Sequence, residues 1–478
     1  MDYQKFLKQN NEDMIFALQE VVRCNSEEGE SFVADDGQIY PFGQGVQKAF
    51  ETVLQMGKDM GFTVKNVDNY GGHIDFEGKS DKIMAILGHL DVVPAGSGWT
   101  HDPYGGEIAD GKLYGRGTTD DKGPVISCLY AMKALKDAGY QPEATIRLIL
   151  GLDEETHWKG MEYYFSKERK PDWGFTPDAD FPLINGEKGL LVFDLAKKFA
   201  APKIKGLELR SFKGGVAPNS VPDTCRVVVH SQESEKYHEI REKAEEYKER
   251  TGHELRIKGI GKSLEINSLG KAAHGAKPED GLNAVSVMMD FLGGLNFANE
   301  DINEFISFYN KYIGFCLDGE DLGIGLEDDK SGKLTFNVGM AEIGSEAGKL
   351  VINIRYPVSY SAEDVYEGIK PVIDKYDIGL IKKEEKPTVY IDVNSPMVKT
   401  LMEIYQNHTG DVESKPIVIG GGTYAKAAPG IIAYGGLFPG DEDRMHQKDE
   451  YMDLLRFEQM TKIYADAIYK LSSEEYNV

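Results

Sequence analysis

The residues whose types and spacing could do chemistry begin in Ile86-Leu87-Gly88-His89-Leu90-Asp91-Val92-Val93-Pro94. His89 and Asp91 are two positions apart, so an extended chain carries both on one side. An imidazole placed there can bind a metal ion through one ring nitrogen while the other donates to Asp91, which sets the tautomer and raises ligand basicity. Gly115-Arg116-Gly117-Thr118-Thr119-Asp120-Asp121-Lys122-Gly123-Pro124 follows, an acidic pair between glycines that let the backbone aim a carboxylate. Asp153-Glu154-Glu155 puts three acids in a row, a repulsion that a cation resolves by binding one carboxylate and leaving another free. Thr176-Pro177-Asp178-Ala179-Asp180-Phe181-Pro182 and Arg444-Met445-His446-Gln447 complete the set. Singly, each would pass for a polar loop, and Asp120-Asp121 would equally suit a helix N-terminus, whose dipole favours negative charge. Together, His89, Asp120, Glu155, Asp178 and His446 make the nitrogen and oxygen ligand set of a two-metal hydrolytic site. Asp120 would be shared between the metals, and Glu154 left uncoordinated as general base.

The elements that must position these groups alternate strand and helix. Ile83 to Leu87 is an apolar run suited to a strand buried on both faces, and Thr145 to Gly151 is another. Each ends at a chemical motif, the edge of an open α/β sheet where ligands bind. Helical spacing covers Phe6 to Val22 and Val46 to Met60, and a helix after Pro124 stops at Gly139. Val64 to Val67 and His73 to Glu77 read as strands, with His73 a strand or turn residue, and Asp110-Gly111 as a hairpin turn. From about Gly186 to Asn394 the rhythm changes. Strand pairs such as Leu190 to Ala196 with Thr224 to Val229, and charged helices such as Glu235 to Thr251, suit an α+β insertion. The first pattern resumes with a helix from Met397 to Thr409, a strand from Ile431 to Tyr434 and a closing helix from Tyr451 to Leu471.

A chain of 478 residues is long for one core. Lys+Arg 54 against Asp+Glu 79 leaves a net charge of −25, which argues against nucleic acid or an anionic membrane surface as the main partner. No apolar stretch is long enough to span a bilayer, and the opening residues lack the features of a signal peptide, so a cytoplasmic protein is expected. Cys24, Cys128, Cys225 and Cys316 are widely spaced and read as reduced structural residues. Gly420-Gly421-Gly422 lacks the lysine and serine of a nucleotide cradle, and its bare N–H groups suit a substrate carboxylate instead.

Gly88-His89-Leu90-Asp91-Val92-Val93-Pro94, Gly115-Arg116-Gly117 through Asp120-Asp121-Lys122-Gly123, Asp153-Glu154-Glu155 and Thr176-Pro177-Asp178 resemble the co-catalytic zinc peptidases that include aminoacylase, acetylornithine deacetylase, carboxypeptidase G and the bacterial dipeptidases. The resemblance runs along essentially the whole chain. Length, Asn185-Gly186-Glu187-Lys188-Gly189 and Met445-His446-Gln447-Lys448-Asp449-Glu450 make it most similar to the dipeptidase V (PepV) type, the bacterial Xaa-His dipeptidases or carnosinases.

That resemblance implies an α/β fold: a zinc-exopeptidase-like three-layer catalytic domain with a mixed central sheet, in two parts (1–186 and 394–478), with an inserted α+β lid domain (187–393). On the order of 200 residues implies a doubled lid standing in for a second copy, and so a monomer. It implies His89 and Asp178 on one divalent ion, Glu155 and His446 on the other, and Asp120 on both, followed by a cis peptide at Asp120-Asp121. Zinc suits the donors, with manganese or cobalt as alternatives. Asp91 and Glu154 would be catalytic with His274, a donor to the oxyanion. Asn219, Arg355, Gly421 and Gly422 would bind substrate, the arginine clamping a carboxylate through two parallel hydrogen bonds. The expected activity is hydrolysis of unblocked dipeptides. The alternatives are an N-acyl-amino-acid deacylase or carboxypeptidase with the same site, and a metal-dependent binding protein.

Overall fold

The structure, a computed structural model, describes residues 2–34, 37–474 and 476. The chain divides into two compact units, one of residues 1–186, 390–417 and 422–478, the other of 187–389 and 418–421.

The first unit is built on a mixed sheet. Along it lie Ile184–Glu187, Ile431–Ala433, Trp173–Thr176, Ile83–His89, Thr145–Gly151, Gly71–Phe76 and Thr63–Val67. The four strands from Ile431–Ala433 to Thr145–Gly151 are mutually parallel, and their neighbours on either side run antiparallel. All seven residues of Ile83–His89 are buried, as expected of a strand covered on both faces. Gly71–Phe76 shows both coverings, because alternate residues point to opposite faces. A Cβ added to Gly72 would strike Phe50, and one on Gly57 would strike Ile74, so the helix Gln44–Asp59 lies on that face. A Cβ on Gly71 would meet Met161 and Tyr164, and His73 Nδ1 lies 2.8 Å from the Tyr164 hydroxyl, so the helix Lys159–Lys167 lies on the other. The result is three layers. The helices Lys122–Asp137 and Leu454–Leu471 add the largest apolar faces, and each buried Leu, Ile or Phe side chain contributes about 1.5–3 kcal/mol of transfer free energy.

The second unit is one antiparallel sheet of eight strands. Gly189–Lys198, the helix Glu300–Tyr312, Thr335–Ile343, Ala347–Tyr356, the helix Ala362–Lys375 and Gly379–Lys386 form a βαββαβ set, with the first strand between the third and fourth. Nested inside its first connection, Thr224–His230, the helix Glu235–Thr251, Leu255–Ile260, Ser263–Leu269 and the helix Ala284–Leu292 repeat that order. Glu208–Gly214 occupies the fourth strand's place. The two halves join where Phe212, Lys213 and Gly214 pair with Ile343, Glu342 and Ala341.

Three local expectations are corrected. The helix expected over Phe6 to Val22 is two, Tyr3–Gln9 and Asn11–Val22, broken at Asn10. Asparagine competes with helix through local hydrogen bonds, a signal weaker than the apolar spacing. The closing helix starts at Leu454. Tyr451–Asp453 instead pairs with Lys112–Tyr114, and the Asp453 carboxylate caps the helix by accepting from the N–H groups of Leu455 and Arg456. Leu190 to Ala196 and Thr224 to Val229 are both strands but not partners. The former pairs with Ala347–Tyr356 and Gly379–Lys386, the latter with Glu208–Gly214 and Ser263–Leu269. Alternation identifies a strand and its buried face, and leaves its neighbour to the topology.

Candidate metal centre

Parallel strands deliver their carboxyl ends to one edge of the sheet. His89 is the last residue of its strand and pairs in register with Gly151, after which come Asp153, Glu154 and Glu155. Asp178 follows Trp173–Thr176 by two residues. Asp120 enters from the loop ahead of the helix Lys122–Asp137, and its peptide bond to Asp121 is cis. His446 comes from the loop after Gly436–Leu437, in a left-handed conformation with φ 61°.

His89 Nε2 lies 3.0 Å from Asp120 Oδ1 and 3.7 Å from Asp178 Oδ2. His446 Nε2 lies 2.9 Å from Asp120 Oδ2 and 3.0 Å from Glu155 Oε1. One Asp120 carboxylate is therefore strung between two imidazoles. His89 Nδ1 is hydrogen-bonded to the Asp91 backbone carbonyl at 3.0 Å, with the Asp91 Oδ1 further off at 3.3 Å. Asp91 Oδ2 also accepts from the Glu155 N–H at 3.0 Å, so one buried aspartate holds His89 on one side and the Glu155 backbone on the other. Behind the site, the Tyr424 ring stands edge-on to His89 and Trp158, at 6.2 and 5.2 Å between centroids.

The electrostatics are those of a cation site. Burial and the Asp120 charge push Asp178 up to about 8, and burial with Asp178 pushes Glu154 well above the usual carboxylate range. Burial and Asp120 raise Glu155 as well, against the hydrogen bond from His446. Hydrogen bonds to Asp120 and Glu155 hold His446 at about 11. Burial opposes charge on His89, yet its bonds to Asp120 and Asp91 raise it well above the ordinary histidine range. Asp120 itself, despite burial, is held below the carboxylate range by His446 and His89. The surrounding carboxylates thus favour the protonated form of both imidazoles. His89 with Asp120 and Glu155, and His89 with Glu154 and Asp178, each offer ligand atoms within 4.8 Å of one another. Neutral imidazole and carboxylate donors at this spacing fit divalent cations.

The other expected residues belong to the second unit, except Gly422. His274 and Asn219 lie on adjoining loops, where Ser220 bridges His274 and the Gly275 N–H donates to the Asn219 carbonyl at 2.7 Å. Arg355 is buried at the end of Ala347–Tyr356, its Nε has no hydrogen-bond partner among the described residues, and burial lowers its guanidinium to about 10. A Cβ on Gly420 would meet Ala276 Cβ at 3.3 Å and Arg355 Cγ at 3.7 Å, so the glycine loop, the His274 loop and the arginine converge. Gly421 continues that loop into Gly422 of the first unit. Sequence reasoning passed over Asp121, whose Oδ2 accepts from the His89 N–H at 3.1 Å, and Tyr424. Asp121 lay inside a quoted motif, whereas a ring behind a ligand leaves no spacing signal.

Residues 85–470 match peptidase family M20/M25/M40, and the chain belongs to that family. It is a peptide hydrolase of the metallopeptidase type. Its relatives include Bacillus subtilis (strain 168) "Putative dipeptidase YtjP", 36% identical over 477 residues that cover 99% of this chain and 100% of that one. Staphylococcus haemolyticus (strain JCSC1435) "Putative dipeptidase SH1171" is 37% identical over 439 residues, 91% of this chain and 92% of that one. Among solved structures, the Sulfolobus solfataricus M20 metallo-carboxypeptidase Sso-CP2 superposes with TM-score 0.57 at 15% identity, covering 95% of this chain and 98% of its own. Human carnosine dipeptidase 1 superposes with TM-score 0.54 at 15% identity, covering 98% of each chain. These likenesses establish the fold. Among the described residues no helix is long and apolar enough to cross a membrane.

Proposed function

We propose that this chain is a metal-dependent dipeptidase acting on unblocked dipeptides. One observation carries the reading: the Asp120 carboxylate offers one oxygen toward His89 and the other toward His446, the disposition needed for a carboxylate shared by two cations. The names of the long, well-covered relatives support the substrate class.

His89 and Asp178 would hold one divalent ion, Glu155 and His446 the other, and Asp120 both, with zinc favoured by the donors and manganese or cobalt as alternatives. When bound, the ions supply Lewis-acid polarisation of the scissile carbonyl and of a water molecule. Glu154 takes the proton of the attacking water and returns it to the leaving amine. Burial and the Asp178 charge raise its carboxyl, which favours its taking up a proton. Asp91 holds the His89 ring and the Glu155 backbone in place. His274 donates to the developing oxyanion. Arg355 binds the substrate carboxylate with Asn219 and the N–H groups of Gly421 and Gly422, a role supported by its buried, unpartnered Nε. We also propose that the chain works as a monomer, on the strength of its doubled antiparallel sheet.

The deciding experiment compares a free dipeptide with an N-acetylated amino acid, before and after chelation and metal add-back. Cleavage of the free dipeptide alone, restored by metal, is expected. Cleavage of only the acylated compound would replace this reading with a deacylase, and full activity of metal-loaded Glu154→Gln would remove the base assignment.

A further inference from the structure

The two loops that carry Asp120 and His446 are tied together by a pair of charged residues buried beneath the site. Arg116 is 1% exposed and Glu450 fully buried. Glu450 Oε2 accepts from Arg116 Nη1 at 2.7 Å, and its Oε1 accepts from the N–H groups of Thr119 at 2.9 Å and Asp120 at 3.4 Å. Arg116 Nη1 also donates to the Gln447 carbonyl at 3.2 Å, next to His446, and Nη2 to the Pro94 carbonyl at 3.4 Å, just past the His89 strand. The Gly115 N–H donates to the Glu450 carbonyl, and the Thr119 hydroxyl to the Tyr451 carbonyl, both at 2.9 Å. One carboxylate thus grips the backbone of the bridging aspartate, and one guanidinium grips the backbone next to His446 and that of Pro94 in the loop after His89.

We propose that Arg116 and Glu450 are positioning residues that set the separation of Asp120 from His89 and His446, and so the affinity for the metal pair; this rests on the two-metal reading above. A buried charge pair need not stabilise a fold, since apolar side chains of similar volume commonly serve as well. Here the hydrogen bonds that the two side chains make beyond each other all end on the backbone of ligand-bearing loops, which a pair serving only the core would not require. Planar, five-donor arginine can hold three acceptors at once in this fork, and lysine cannot.

The test titrates metal-stripped protein with cobalt(II), read by its visible absorption, for the wild type, R116M/E450Q and R116K. In the double variant the introduced amide oxygen still accepts from the Thr119 N–H and no lone charge is left buried, while the guanidinium's hold on the Gln447 and Pro94 carbonyls is cut. The R116K variant keeps the charge and loses the multiple grip, and it serves if the double variant does not fold. Both should bind cobalt about 10–100-fold more weakly than wild type, with altered absorption bands. Wild-type cobalt affinity and spectrum in either folded variant would overturn the proposal. A wild-type protein that takes up no second ion would overturn the two-metal reading itself, and this inference with it.

Discussion

Removing and restoring metal should move protons, and the number is set by the geometry. Without metal, His446 is held at about 11 by Asp120 and Glu155, His89 lies well above the ordinary histidine range, and Asp178 sits at about 8. All three therefore carry a proton at pH 7, and a cation accepts only the neutral imidazole and the ionised carboxylate. Loading should release at least about three protons, so apparent affinity should climb at least about 10³-fold per pH unit near neutrality. Above pH 8 Asp178 is already ionised, and the slope should fall by about one proton. Calorimetry of metal binding in buffers of different ionisation enthalpy measures the number directly, as the slope of observed heat against buffer enthalpy. His446→Ala should lower that slope by about one. A slope near zero in the wild-type protein would mean that neither imidazole surrenders a proton to the ion, and the ligand assignment would be wrong.

Three further outcomes follow from the packing. Gly151→Ala would place a Cβ 2.3 Å from the Tyr424 ring and hydroxyl, so a loss of about 1–3 kcal/mol is expected in urea unfolding; an unchanged midpoint would mean the ring is not wedged there. Ile86→Ala, at a fully buried position between Leu148 and Phe175, should cost about 2–5 kcal/mol with little change in m. His73 is lowered from 6.5 to about 4, by burial first and then by Arg147. A histidine depressed on folding contributes stability above its unfolded value and loses it as pH falls toward the folded one. Up to about 3 kcal/mol should therefore disappear between pH 6.5 and 4, and His73→Gln should abolish that part of the pH dependence.

The buried parallel strands were legible because their signal is local: Ile83–His89 and Thr145–Gly151 are apolar runs that end where the chemistry begins. The charged helix Glu235–Thr251 has the bounds expected from its pattern. What the sequence leaves open is pairing at a distance. Gly189–Lys198 waits some 150 residues for its partner Ala347–Tyr356, because a second such set is threaded into the connection, and nothing in the strand's own ten residues encodes that interval. The start of the last helix failed for a different reason. Tyr451-Met452-Asp453 fits either a helical turn or a strand edge, and the Lys112–Tyr114 strand, far away in sequence, decides between them.

The residues of the candidate site stand out in the sequence for a chemical reason. A carboxylate buried at the end of a strand is costly unless something compensates it, so His89, Asp120, Glu155 and Asp178 announce themselves by type as well as by place. Glu154 and Glu155 are alike in type and adjacent, yet the Glu155 carboxylate meets His446 and its N–H the Asp91 carboxylate, while the charge that weighs most on Glu154 is that of Asp178. That difference is one of surroundings, invisible in a row of three acids. The same holds for Arg116 and Glu450. Each sits inside a motif readable at sight, but only the folded chain brings residues 334 positions apart to within 2.7 Å. On the proposed reading, such motifs hold both residues that face the reaction and residues that hold the loops, and telling them apart takes the backbone acceptors that only the fold supplies.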